Sequence, residues 1–389
     1  MEAKALVNKP VIPRLSPEQQ VLLGAIRVDG AQEERLREIL ARGLDWPLLR
    51  QMALSHEVLP LLYIRLKALG EDLLPTDELE QLRALYLANV HRTLRLTQKL
   101  LRALDLLAGR GIEALPFKGP ALAVQAYGEV SLRQFVDLDI LIHPQNFRPT
   151  YELLVNAGYG PLFPMSDRKA EELMGSAQVC PDPAQPHAVA DRRLRRWMRH
   201  VNHLGFSGHD CMLEVHWAVA PRFLASRLDP ERFWQGLQSA YLNGRGLPVF
   251  SPENTALTLC LHGARHRWYQ LKGIADLAHL VQRYPTLDGA SLLEQSEGLG
   301  LRRILCLGLQ LAEVVGGAAL QPAVRTLVYQ DVHARELAHH VQGLLFVGKQ
   351  SDGHNGLVAR LLFDLRSRDH LQDQLCYLFE RILYSAQRA

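Results

Sequence analysis

The stretch 115-LPFKGPALAVQAYGEVSLRQFVDLDILI-142 decides how this chain is read. It has the pattern strand, glycine turn, helix, loop, strand. It ends on Asp137 and Asp139, which alternate with Val136, Leu138, Ile140 and Ile142. Residues i and i+2 of a strand share a face, so both carboxylates project together and the opposite face is apolar. A carboxylate pair on a rigid strand suits a hard, oxygen-preferring cation such as Mg²⁺.

Upstream, the first hundred residues read as helical. Ser16-Pro17-Glu18 is a capped helix start. A helix pair is expected over 31–69. A long helix opens at Pro75-Thr76-Asp77-Glu78, carries apolar residues from Leu79 to Leu104 on one stripe, and ends near Gly109 and Gly111. Strand character begins at Ile112. Expected strands cover 113–117 and 136–142, with a helix over 119–127 between them and another over 144–157. The Pro-, Ala- and Asp-rich stretch 165–190 reads as an inserted mobile loop. A helix over 191–201 then leads to two short strands, 203–206 and 212–217, joined by Ser207-Gly208-His209-Asp210. Beyond Pro221 the chain is expected to be helical again, with a capped start at Ser251-Pro252-Glu253 and a second helix over 271–282. The fold class is therefore α+β: a small mixed-sheet core over 112–222, flanked by helical regions over 1–111 and 223–389.

Bulk properties narrow the function classes. The 389 residues are 48% hydrophobic and 22% charged, with a formal net charge of +3. That charge does not by itself argue for nucleic acid or an anionic membrane. The N-terminus lacks the apolar core of a signal peptide, and the most apolar stretch, Ile304 to Leu320, contains Gln310 and Glu313 and suits a buried helix. The five cysteines are scattered without a CxxC pair, which gives no zinc ribbon or disulfide framework. A reduced, cytoplasmic protein with no membrane partner is expected.

Three features belong together chemically. Lys118-Gly119-Pro120 stands at a strand-to-helix junction, where backbone N–H groups and a helix N-terminus favour phosphate. Asp137-x-Asp139 is the second. Glu214, in Leu213-Glu214-Val215-His216-Trp217, is the third. If its strand lies beside that of Asp137, the three carboxylates suffice for two metal ions.

On these residues the chain resembles the polymerase-β-like nucleotidyltransferase fold superfamily, and within it the bacterial uncharacterised nucleotidyltransferase family. The matching pieces are Phe117-Lys118-Gly119, Tyr127, Arg133 followed by Asp137-Leu138-Asp139-Ile140-Leu141, Glu214-Val215-His216-Trp217, His262-Gly263-Ala264-Arg265-His266-Arg267-Trp268, and Asp276. The resemblance covers about residues 112–285. It implies transfer of a nucleoside monophosphate from an NTP to an acceptor hydroxyl or phosphate, with pyrophosphate released and Mg²⁺ or Mn²⁺ required. Asp137, Asp139 and Glu214 would be metal ligands, with Glu214 as ligand or general base. Lys118 and Gly119 would face the triphosphate, and Arg133 would neutralise charge building on it. Small-molecule or peptide acceptors are favoured slightly over RNA. Two departures stand out: Gly119 is followed by Pro120, which has no N–H to donate, and the third carboxylate is Glu rather than the more usual Asp. They leave a second reading, a catalytically impaired nucleotide-binding or protein-interaction module on the same fold.

The remaining polar residues have plainer readings beside the functional ones. His262 and His266 are at i and i+4, a zinc-compatible spacing, but Gly263 stands where a zinc protease carries its glutamate and no third ligand is evident. They are expected to turn a polar face toward the cleft or to pack on the sheet. Asp276 is expected to pair with a basic residue. His216 shares a strand face with Glu214 and is expected to hydrogen-bond near it. Arg192, Arg193, Arg195, Arg196 and Arg199 form either a solvated helix face or a basic rim for an NTP or an acidic acceptor.

Overall fold

The structure is a computed structural model that describes residues 15–165, 167–174, 187–347 and 356–388. The N-terminal region holds α1 (Pro17–Ile26), α2 (Glu33–Ala41), α3 (Trp46–Ser55), α4 (Leu59–Leu69) and the long α5 (Thr76–Ala108). Ser16 caps α1 through a reciprocal capping box with Gln19. The pair expected over 31–69 is three helices, because Gly43, at φ +85°, breaks the chain between α2 and α3.

The core follows as β1 (Ala114–Pro116), α6 (Gly119–Tyr127), β2 (Asp137–Ile142), α7 (Phe147–Asn156), β3 (Gly160–Leu162), α8 (Asp167–Met174), α9 (His187–His200), β4 (His203–Gly208) and β5 (Cys211–His216). The five strands form one mixed sheet in the order β1-β2-β5-β4-β3. β2 and β5 are parallel and the other neighbours antiparallel. The β4–β5 turn forms where expected, with His209 at φ +51° and Asp210 at φ +53° closing a two-residue hairpin loop. The loop expected over 165–190 is corrected at both ends, since α8 and the start of α9 lie within it. Residues 166 and 175–186 of that stretch lie outside the described residues, as does Cys180.

The C-terminal region is not helical from its start. Gln238–Leu242 (β6) and Arg245–Val249 (β7) form a separate antiparallel hairpin. Its turn is Asn243-Gly244, both at positive φ. That dipeptide is the strongest short hairpin signal in a sequence, and it overrides the helical expectation for this stretch. Helices α10 (Pro252–Arg265), α11 (Leu271–Arg283), α12 (Gly289–Gly298), α13 (Arg302–Val314), α14 (Pro322–Gln330), α15 (Val332–Leu344), α16 (Gly356–Arg366) and α17 (Leu371–Arg388) follow.

Strand alternation gives the sheet two different faces. Leu138, Ile140, Ile142, Leu213, Val215 and Trp217 share a core with the second half of α5, α7 and α9. The opposite face carries Asp137, Asp139, Glu214 and His216, and the cleft above it is lined from α10 and α11. On that side the N- and C-terminal helices share one apolar core, from Leu22 and Leu62 to Leu277 and Leu305. Backbone bonds tie them together as well: Val28 N–H donates to Gly316 O at 2.9 Å and Lys272 N–H to His56 O at 3.2 Å. Among the described residues no helix is long and apolar enough to cross a membrane.

Candidate active site

The parallel pairing of β2 with β5 sets the site. Asp137 lies opposite Met212, and Asp139 lies opposite Glu214. The side chains of Asp139, Glu214 and His216 meet directly. His216 Nε2 is 3.0 Å from Asp139 Oδ1 and 3.2 Å from Glu214 Oε2. Lys118 Nζ donates to the same Asp139 oxygen at 2.8 Å. One neighbouring strand adds a residue that sequence reasoning missed. β4 pairs with β5 so that His203 faces His216, their rings stack with centroids 4.8 Å apart, and His203 Nε2 is 3.9 Å from Glu214 Oε2. Gly205, opposite Glu214, adds no side chain between them. Counting back from the His209-Asp210 turn gives this register, so the signal was in the sequence.

The charges respond to this crowding. Burial raises the pKa of Asp137, and the Asp139 and Glu214 carboxylates raise it further against the Lys118 charge. Burial would raise Asp139 too, but the Lys118 ammonium and the His216 hydrogen bond hold it well below the usual carboxylate range. For Glu214 burial is likewise overcome, mainly by the hydrogen bond to His216, and the pKa is lowered. Burial, with the neighbouring His216, pushes His203 down to about 3, so its ring is neutral with a lone pair to offer.

These residues fit a divalent cation. His203, Glu214 and His216 each offer one ligand atom, and those atoms lie within 4.8 Å of one another. The set expected from sequence was all carboxylate; the three-ligand cluster found among the described residues mixes two imidazoles with one carboxylate, and Asp139 touches it. A mixed nitrogen and oxygen set favours Mn²⁺ and neighbouring transition metals, whereas Mg²⁺ prefers the carboxylate oxygens alone.

Above the carboxylates, Gly119 opens α6 at φ +50°. A Cβ there would come 3.3 Å from the Asp137 carbonyl oxygen, so the absence of a side chain lets the helix N-terminus approach β2. Pro120 occupies the second helical position and offers no N–H. Ala121 and Leu122 N–H already donate to Lys118 O at 3.1 and 3.4 Å, so the donor at the carboxylates is Lys118 Nζ.

Arg133 is paired with Asp276. Its Nε lies 3.0 and 3.1 Å from the two Asp276 oxygens and its Nη2 donates to Oδ2 at 3.0 Å. Tyr127 hydroxyl donates to Asp276 as well, at 2.8 Å. Both members of the ion pair are buried, Arg133 at 7% side-chain exposure and Asp276 at 2%. The guanidinium joins the segment before β2 to α11, and Arg133 also lines the cleft.

The cleft is a cavity of about 330 Å³, with His262, His266 and Asp276 on its helical wall and Lys118 and the strand residues Asp137, Glu214 and His216 opposite. The His262 and His266 rings lie with centroids 4.6 Å apart, tilted by 50°, and belong to no three-ligand cluster among the described residues. Burial holds both neutral: His262 falls well below the usual range, helped by Lys118, and His266 falls to about 4, helped by Arg265. Gly263 meets the Trp268 indole so closely that a Cβ would lie 2.3 Å from it. Packing explains the glycine where a zinc protease would need glutamate. Glu57 is a second residue missed from sequence. It comes from the turn after α3, forms an ion pair with Lys272 of α11 and lines the same cavity. No local pattern marks such a contact, because its partner is more than two hundred residues away.

Comparison with curated proteins gives no match. Residues 42–317 match the family model described as uncharacterised nucleotidyltransferase, well over half of the chain, and with the carboxylate pair, the glycine turn and the third carboxylate strand in that order, this chain belongs to that family.

Proposed function

We propose that this protein transfers a nucleoside monophosphate from an NTP to an acceptor hydroxyl or phosphate and releases pyrophosphate. The observation that carries the reading is the β2–β5 register. It sets Glu214 beside Asp139 on the face that also bears Asp137, under the glycine-opened end of α6. In this reading Asp137, Asp139 and Glu214 would hold Mg²⁺ or Mn²⁺, and with Mn²⁺ the imidazoles of His203 and His216 would join the ligand set. When bound, the ion neutralises triphosphate charge and makes an acceptor hydroxyl more acidic.

The chain's own residues do the rest. Lys118 Nζ and the positive N-terminal end of α6 at Gly119 bind the triphosphate. The acceptor oxygen attacks the α-phosphorus, a new P–O bond forms, and the bond to the bridging oxygen of the β-phosphate breaks. Glu214 takes the acceptor proton. Arg133 is a positioning residue that acts through Asp276, and His262 and His266 give the cleft wall uncharged polar atoms. The reading includes a cytoplasmic location, supported by the free thiols of Cys211, Cys260, Cys306 and Cys376. A small molecule or peptide is the preferred acceptor class.

One observation favours the second reading, a nucleotide-binding module without turnover. Lys118 and His216 already engage the buried Asp139 carboxylate. One double variant separates the two. Asp137→Asn with Asp139→Asn keeps the side-chain shape and removes both charges. Loss of transfer with retained folding supports the enzyme; undiminished transfer by a folded variant contradicts it.

A further inference from the structure

A second cavity, of about 700 Å³, opens between α7, α9 and the segment that follows β5. Its volume is within the roughly 300–1,000 Å³ of sites that hold small molecules. Part of its wall is apolar, formed by Phe147, Leu194, Met198 and Trp217. The indole of Trp217 is fixed, since its N–H donates to Met198 O at 2.9 Å. The charged lining has one sign: Arg148, Arg195, Arg199 and Arg222, with no carboxylate among the lining residues. Arg222 lies 3.3 Å from Glu380, and Arg148 donates to the Met174 carbonyl at 2.9 Å. Arg195 and Arg199, one turn apart on α9, are exposed and make no ion pair among the described residues.

We propose that this cavity binds a small organic phosphate. Guanidinium forks match phosphate oxygens two at a time and are more weakly hydrated than an ammonium, so Arg195 and Arg199 supply the charge recognition. The Trp217–Met198 wall takes the organic part. An apolar wall of about four side chains distinguishes this site from a nucleic-acid surface, which follows a strand along a positive groove. It is also distinct from the nucleotide cleft. His216 and Trp217 are consecutive, so they project to opposite faces of the sheet. The two cavities meet only at Ala220, which lines both. The inference does not rest on the nucleotidyltransferase reading, because its test reads binding alone.

The test is calorimetric titration of the full chain with 1-naphthyl phosphate, beside 1-naphthol, inorganic phosphate and a single-stranded RNA oligonucleotide. Saturable one-to-one binding of 1-naphthyl phosphate is expected, weakened about tenfold or more by Arg195→Ala with Arg199→Ala, as loss of charge-assisted hydrogen bonds implies. Both arginines are exposed, so the variant keeps its fold. Ser226→Trp, which fills the cavity rim, is expected to weaken binding as well, and Lys118→Ala to leave it unchanged. Naphthol and inorganic phosphate are expected to bind at least tenfold more weakly. Binding that survives the double substitution, binding lost in Lys118→Ala, or no binding at all overturns the proposal. Arginine-dependent capture of the RNA without 1-naphthyl phosphate binding also overturns it, in favour of a nucleic-acid surface.

Discussion

Replacing Asp276 with Ala tests whether Arg133 positions the site or serves phosphates directly. Asp276 is buried on α11 and accepts three hydrogen bonds from Arg133 atoms and one from Tyr127 hydroxyl. Burial alone would lower the pKa of Arg133; Asp276 more than compensates and raises it. Removing the carboxylate leaves a buried guanidinium without its counter-ion, a loss of about 3–5 kcal/mol. The Tyr127 hydroxyl loses its acceptor too, adding about 1 kcal/mol. The sum is a large part of the roughly 5–15 kcal/mol that holds an ordinary domain folded. The assay is urea unfolding followed by far-UV circular dichroism, with the midpoint compared at constant slope. Asp276→Ala is expected to lower the midpoint strongly. Arg133→Met with Asp276→Leu is expected to recover most of the loss, because an apolar pair leaves no unpaired charge behind. A loss under about 1 kcal/mol in Asp276→Ala would refute the reasoning, since the guanidinium would then be free of its partner at little cost.

Further expectations concern the turn, the cation and the pH response. Gly119→Ala puts a side chain at φ +50° with its Cβ 3.3 Å from the Asp137 carbonyl oxygen. It should cost about 1–2 kcal/mol and lower kcat/KM for the NTP; a variant with wild-type stability and kinetics would show that the close approach is unimportant. His203→Ala should weaken Mn²⁺ binding about tenfold, a change visible in the free-ion electron paramagnetic resonance signal; unchanged binding would remove that imidazole from the ligand shell. Burial holds His56 and His279 at about 4 in the folded protein, below their unfolded value. Their contribution to stability is therefore complete above pH 6.5 and falls as pH drops toward 4, because the unfolded chain takes up those protons first. Urea midpoints at pH 7.5, 6 and 5 should decline, and His279→Gln should flatten the decline; a level profile would contradict it.

The sequence showed what local periodicity encodes. Asp137 and Asp139 could be placed on one strand face because alternation is a property of neighbours, and Gly119 could be placed at a helix start for the same reason. The pairing of Glu214 with Asp139 was a conditional statement, since a parallel register depends on how a long intervening segment folds back. What stayed hidden was the partner choice of buried charges. Arg133 sits four residues before Asp137, and nearness in sequence suggested a shared task; the structure gives it to Asp276, 143 residues away. Glu57 was hidden for the same reason. His203 and the Asn243-Gly244 hairpin are different, because their signals are local: a tight turn in each hairpin fixes the register.

The central claim is that the α-phosphorus is the atom attacked at the Asp137–Asp139–Glu214 site. Incubation with NTP labelled separately at the α- and γ-phosphates, with Mg²⁺ or Mn²⁺ and an extract fractionated into small molecules, peptides and RNA, tests it most directly. The account predicts metal-dependent transfer of the α-label to one fraction, with the γ-label released as pyrophosphate, and neither event with Asp137→Asn/Asp139→Asn. Transfer of the γ-label, or α-label transfer that survives in the folded double variant, would contradict it.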